Sequence, residues 1–221
     1  MLDLKTDNPH VNHLPVVVIG WDNRPSNKIL VEALTEGLTI QGCEVHWAGE
    51  IATPGLHYCI LESKYHTGLM VTASHNPVHD SGLKIFDKFG FKSYPVKEKN
   101  LTQIITRLSN ESNGEMYKIS QNYRLPKYNY NGVEKYQNNL KNRLSLIEKD
   151  WGVSLSKAIE FEVIPKNTFI FDGSKGALHK WSSKWLSDNG LDSIDISENC
   201  IEINTNCGAG DFSPWALIFE N

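Results

Sequence analysis

The chain has 221 residues, room for one large domain or two small ones. Its 22 Lys and Arg against 26 Asp and Glu leave a net charge of −4, which excludes a general electrostatic pull toward nucleic acid or an anionic membrane. No apolar run reaches the length of a membrane span and the first residues are polar rather than signal-like, so a cytoplasmic protein is expected.

Val16-Val17-Val18-Ile19 is a continuous apolar run ending at Gly20, the pattern of a central parallel strand buried on both faces. After a polar turn, Ser26 is placed to cap a helix whose apolar stripe is Leu30, Ala33, Leu34 and Leu38, with Gly42 as its stop. Val45-His46-Trp47 reads as a second strand, Thr53-Pro54-Gly55 as a turn or the opening of a helix, and Leu69-Met70-Val71 as a third strand. Strand, helix, strand, helix, strand implies a right-handed α/β layer fold, whose ligands sit beyond the carboxyl ends of the strands. Asp22 and Arg24 fall there after the first strand, and Ser74 after the third. Leu83 to Phe86 reads as a further strand, followed by a turn around Gly90 and a helix over 96–108. Residues 109–130, rich in Ser, Asn, Gly, Tyr and Pro, read as a linker.

Val133, Tyr136, Leu140, Leu144 and Ile147 keep helical spacing over 131–150. Thr168 to Phe171 reads as a buried strand, and Leu178, Trp181 and Trp185 mark a helix closed by Gly190, with both tryptophans expected in the core. A strand near 193–196 and the loop Cys207-Gly208-Ala209-Gly210 follow, so a new α/β unit begins here.

The run Thr72-Ala73-Ser74-His75-Asn76-Pro77, followed by Gly82-Leu83-Lys84, gathers a hydroxyl, an imidazole, an amide and an ammonium behind a strand. Adjacent Ser and His point apart in extended chain and the GxSxG elbow is missing, so a hydrolytic triad is not expected. Phosphoryl transfer fits better. A phosphoserine carries about −1.5 to −2 charges, and transfer to a sugar hydroxyl depends on positioning and charge neutralisation. Arg24, Lys84 and a divalent cation could neutralise, and His75 or Lys84 could relay the proton of the attacking hydroxyl.

This stretch resembles the active-serine loop of the α-D-phosphohexomutases, which include phosphoglucomutases, phosphomannomutases and phosphoglucosamine mutases. Residues 72–84 follow the family's TASHNP…NG-hydrophobic-K pattern except for Ser81, where the pattern has Asn. Val18 to Ser26 looks like the family's V-G-x-D-x-R-x-S segment and Thr53-Pro54 like its TP turn. Asp172 to Ala177 is similar to the D-x-x-N-G-A turn opening the second domain, with Lys175 for Asn, and Ile203 to Asp211 resembles a later loop of that domain. The resemblance implies a three-layer α/β/α first domain with a mixed sheet over 1–126, followed by an incomplete second α/β domain of the same type over 127–221. Ser74 would carry the phosphoryl group and, once phosphorylated, offer an oxygen to Mg²⁺. His75 and Lys84 would transfer protons, Lys84, Arg24 and Asn76 would bind phosphate, with Arg24 supporting the loop less directly, and Asp22 would shape the loop as a hydrogen-bond acceptor. The implied reaction moves phosphate between C1 and C6 of a hexose phosphate through a hexose 1,6-bisphosphate. The S-G-L-K-I-F and C-G-A-G-D stretches look closest to the phosphoglucosamine mutase branch.

The family's F-G-T-x-G-x-R opening, its D-G-D-x-D-R metal loop and its sugar and phosphate loops have no counterpart in this sequence. The expectation is therefore an amino-terminal portion, weak or inactive alone, with an incomplete Mg²⁺ site. The alternatives are a non-catalytic sugar-phosphate binder or a half that assembles with a separate carboxyl-terminal polypeptide. A nucleotide-binding α/β module is a third reading, weakened because neither G-x-x-x-x-G-K-[ST] nor G-x-G-x-x-G is present. The histidines show no metal-like spacing, and Lys166, Lys175, Lys180 and Lys184 read as a solvated face. Cys43, Cys59, Cys200 and Cys207 lack CxxC spacing and are expected as reduced thiols.

Overall fold

Val17, Val18 and Ile19 are almost wholly buried because they form the middle of strand β1 (Val16–Trp21), which has a strand on each side and helices on both faces. The structure, a computed structural model, describes residues 14–111, 130–152 and 169–208. The elements after β1 are α1 (Asn27–Ile40), β2 (Glu44–Glu50), α2 (Thr53–Glu62), β3 (Thr67–Val71) and β4 (Leu83–Asp87). The four strands lie in the order β2-β1-β3-β4. β1 runs parallel to β2 and β3, while β4 returns antiparallel to β3, so the sheet is mixed as expected.

Alternation along β1 divides the core in two. Val17 and Ile19 pack with Val31 of α1, Val45, Leu69 and Val71 on one face. Val18 packs on the other face with Leu56, Cys59 and Ile60 of α2, together with Met70 and Phe86. The result is a helix–sheet–helix sandwich. Gly68 permits its close packing, since a Cβ there would stand 2.2 Å from Ile60 Cδ1.

Ser26 does not cap α1. It sits in helical conformation with its hydroxyl buried and without a hydrogen-bond partner. Gly42 does follow the helix end, at φ +81°. Helix α3 (Pro95–Glu111) has the expected place but buries no residue, leaving Val96, Ile105 and Leu108 exposed.

Helix α4 (Gly132–Trp151) is capped by Asn131, whose side chain accepts from the Glu134 amide, and ends at the left-handed Gly152. Tyr130, Val133 and Tyr136 lean on the α2 side of the core, so α4 thickens the first sheet's outer layer. Most of the linker expected at 109–130, including the expected boundary between residues 126 and 127, lies outside the described residues.

Strand β5 (Phe169–Phe171), helix α5 (Ser182–Asp188) and strand β6 (Ser193–Asp195) make a small unit with the two strands parallel. The tryptophans are half-buried against α4: Trp181 stands edge-on to Tyr136, and Trp185 donates to the Gln137 carbonyl at 3.3 Å. The expected solvated lysine face is only partly observed, because Lys175 Nζ donates to the carbonyls of Glu198 and Cys200. Among the described residues, no helix is long and apolar enough to cross a membrane.

Candidate active site

The carboxyl ends of β1 and β3 meet at Asp22. Its amide donates to the Val71 carbonyl at 3.2 Å, carrying the ladder one residue beyond the strands. The Asp22 side chain is buried and accepts from Thr72 Oγ1 at 2.6 Å, Arg24 Nε at 3.2 Å and Asn27 Nδ2 at 2.5 Å. Asn27, wholly buried at the start of α1, also donates to the carbonyls of Asp22 and Val71 and accepts from Ser81 Oγ at 2.8 Å. Ser81, the one departure from the family pattern in this loop, thus still fastens the loop to α1.

Arg24 is placed differently from the expectation of a phosphate contact. Its side chain has no solvent exposure, and Nε is paired with Asp22. Nη1 donates to the carbonyls of Pro77 and Asp80, and Nη2 to those of Ser74 at 2.8 Å and Asn76 at 3.0 Å. All five guanidinium N–H groups are therefore committed. Arg24 clamps the loop from behind and turns no donor toward solvent. Asn76, also expected to bind phosphate, donates its amide to Asp80 Oδ2 at 3.1 Å and closes the turn.

Ser74 is held at φ +54°, a left-handed conformation unusual for a residue with a side chain. Its amide donates to Thr72 Oγ1 at 3.0 Å, and its exposed hydroxyl oxygen accepts from Lys84 Nζ at 2.7 Å. The antiparallel return of β4 brings Lys84 there, opposite Met70. Partial burial, reinforced by Lys92 and opposed by Asp22, holds the Lys84 ammonium below the usual lysine range. Because Asp22 neutralises Arg24, Lys84 is the cation in contact with the Ser74 hydroxyl.

Ser74 and His75 line an open cleft of about 230 Å³ together with Asp22, Thr53, Ser174 and Asn204. Asn204 has no role in the sequence reading, yet its Nδ2 donates to the carbonyls of Ser74 at 2.7 Å and Asn76 at 3.0 Å. Asn23 makes a second tie, donating to the Lys175 carbonyl at 2.6 Å.

The residues around Ser74 do not fit a magnesium shell. Mg²⁺ requires near-octahedral oxygen coordination. Asp22, the carboxylate lining the cleft, already accepts three side-chain donors, and an ammonium occupies the Ser74 hydroxyl. Among the described residues no group of three or more His, Cys, Asp or Glu could hold a metal ion.

Comparison with known proteins places this geometry. Residues 7–112 match the sequence model of the phosphoglucomutase/phosphomannomutase alpha/beta/alpha domain I. A phosphoglucosamine mutase of Streptococcus sanguinis is 29% identical over 215 residues, which cover 94% of this chain and 42% of the relative. One from Caldanaerobacter subterraneus reaches 44% identity over 94 residues, 42% of this chain and 21% of the relative. The crystal structure of a phosphoglucomutase/phosphomannomutase family protein from Burkholderia thailandensis superposes with a TM-score of 0.57 at 20% identity, covering 86% of this chain and 37% of that one, and so supports the fold. The chain spans about two-fifths of the length of the curated relatives it matches across most of its own length. Residues 7–112 thus match domain I of the phosphoglucomutase/phosphomannomutase family, and the chain as a whole is similar to the amino-terminal portion of phosphoglucosamine mutases.

Proposed function

We propose that Ser74 is the phosphoryl carrier of a phosphohexomutase, an isomerase that interconverts hexose 1-phosphate and hexose 6-phosphate through a hexose 1,6-bisphosphate. The observation that carries this reading is the 2.7 Å contact of Lys84 Nζ with Ser74 Oγ at the mouth of an open cleft. In the loading step Ser74 Oγ attacks phosphorus, the bond from phosphorus to the sugar oxygen breaks, and the Lys84 ammonium gives a proton to the departing oxygen while taking the serine proton in its place, so that it ends the step still charged. The lowered basicity of Lys84 favours that relay. Once Ser74 is phosphorylated, protonated Lys84 offsets part of the new negative charge. His75, exposed on the cleft wall, is the second candidate for proton transfer.

The proposed substrates are hexose phosphates. An amino-sugar phosphate is preferred because the curated relatives named above are phosphoglucosamine mutases. As the resemblance implies, phosphorylated Ser74 would offer one oxygen to Mg²⁺, and no step is assigned to the ion. A cytoplasmic setting is part of the proposal, supported by four free thiols.

Intact-mass measurement after incubation with glucose 1,6-bisphosphate tests the carrier role. One added phosphate is expected, lost in Ser74→Ala. A wild-type chain that takes up no phosphate sinks the proposal. Turnover with glucose, mannose and glucosamine phosphates then ranks the substrates.

A further inference from the structure

We infer that Asn204 is a positioning residue for Ser74, a latch that holds the serine loop from the 172–208 segment. The reading rests on the carrier role of Ser74 only for the second of its two tests. A backbone carbonyl offers two lone pairs. At both Ser74 and Asn76 Arg24 takes one, from the side of the first sheet, and Asn204 takes the other. The same two oxygens, those of the two residues that flank His75, thus accept from both side chains.

Asn204 is itself well anchored. Its amide donates to the Ser174 carbonyl at 3.0 Å, and its neighbours Ile203 and Cys207 are buried. The Gly208 amide donates to Asp172 Oδ2 at 2.5 Å, fastening the far end of the loop to the turn after β5. Asn204 adopts φ +57°, a conformation that Asn and Asp tolerate better than most residues. Ser74 sits at φ +54° with a carbonyl that cannot turn away while both donors remain. The orientation of the Ser74 hydroxyl is therefore tied to the placement of the 172–208 segment, 130 residues later in the chain.

Two substitutions in the full chain separate the latch from backbone effects. Asn204→Asp keeps size and left-handed tolerance but removes the donor. Asn204→Gly keeps the backbone freedom and adds no charge. Hydrogen–deuterium exchange over 72–80 is expected to speed up about tenfold in both, with the amides of β1 and β3 unchanged, because two hydrogen bonds to one loop are lost. Phosphate transfer from glucose 1,6-bisphosphate to Ser74 is expected to slow about tenfold at saturation with little change in the half-saturating concentration, since a positioning group affects alignment rather than affinity. Unchanged exchange in either variant overturns the latch, as does faster exchange in Asn204→Asp alone, which would report charge repulsion. A loosened loop that transfers phosphate at the wild-type saturating rate also overturns it. If the wild type takes no phosphate, the carrier role fails and the exchange result alone decides the latch.

Discussion

The ammonium of Lys84 lies 2.7 Å from the hydroxyl oxygen of Ser74, ten residues away in sequence, because β4 turns back along β3. Lys84→Met keeps the length and apolar stem of the side chain and removes its charge and protons. Phosphate transfer to Ser74 should then fall at least about a hundredfold, the scale of a lost acid–base group. A time course by intact mass checks this, and a rate within threefold of wild type would remove Lys84 from the chemistry.

Lys84 should also titrate below the ordinary lysine value, because burial, chiefly, disfavours its charged form. An NMR titration of ¹³C-methylated lysines reads this directly. The sign for stability follows from the lowered pKa. Below the folded-state pKa the charge is disfavoured in the native state. As pH rises through that value toward the ordinary lysine pKa, the penalty is relieved and Lys84 contributes a stability that increases with pH. Urea midpoints from pH 7 to 10 should therefore show a rising component that Lys84→Met lacks.

Arg24→Met should cost about 3–5 kcal/mol, since it leaves the Asp22 carboxylate buried without its cation and four loop contacts open. Equilibrium urea unfolding measures the loss. A variant within about 1 kcal/mol of wild type would mean the loop holds without its clamp.

Gly68→Ala should cost about 1–3 kcal/mol by overpacking. The new methyl would meet Cδ1 and Cγ1 of Ile60, at 2.2 and 2.6 Å, and Ile60 is fully buried with little room to withdraw. A thermal melt unchanged from wild type would show that α2 can shift outward.

The four thiols should differ sharply in reactivity. Burial, helped by nearby Glu62, pushes Cys59 up to about 12, and burial with neighbouring Cys200 and Asp172 pushes Cys207 to about 11. Burial raises Cys43 as well. Iodoacetamide at pH 8 should label half-buried Cys200 first and the others only after unfolding, as peptide mapping would show.

The layered fold was legible because β1 and β3 are short apolar runs bounded by turns, but the stripe expected on α1 was misplaced: Val31 and Thr35 are buried there while Leu30 is exposed. The serine loop was legible because its motif is local. What Arg24 touches was not, since its acceptors are carbonyls whose positions depend on how residues 74–80 fold back over β1. Asn204 could not be assigned a role because no periodicity links it to a loop 130 residues earlier. Ser26 had the chemistry of a cap, but the local backbone stayed helical through it. The helical stripe of α4 marks an apolar face without saying which neighbour covers it.

Every loop acceptor of the Arg24 guanidinium is a main-chain oxygen. A grip on peptide groups is blind to what hangs from them. Val78 and His79, in the spacer of that loop, can therefore drift in size and polarity while the serine keeps its aim, leaving this stretch of surface open to evolutionary retuning.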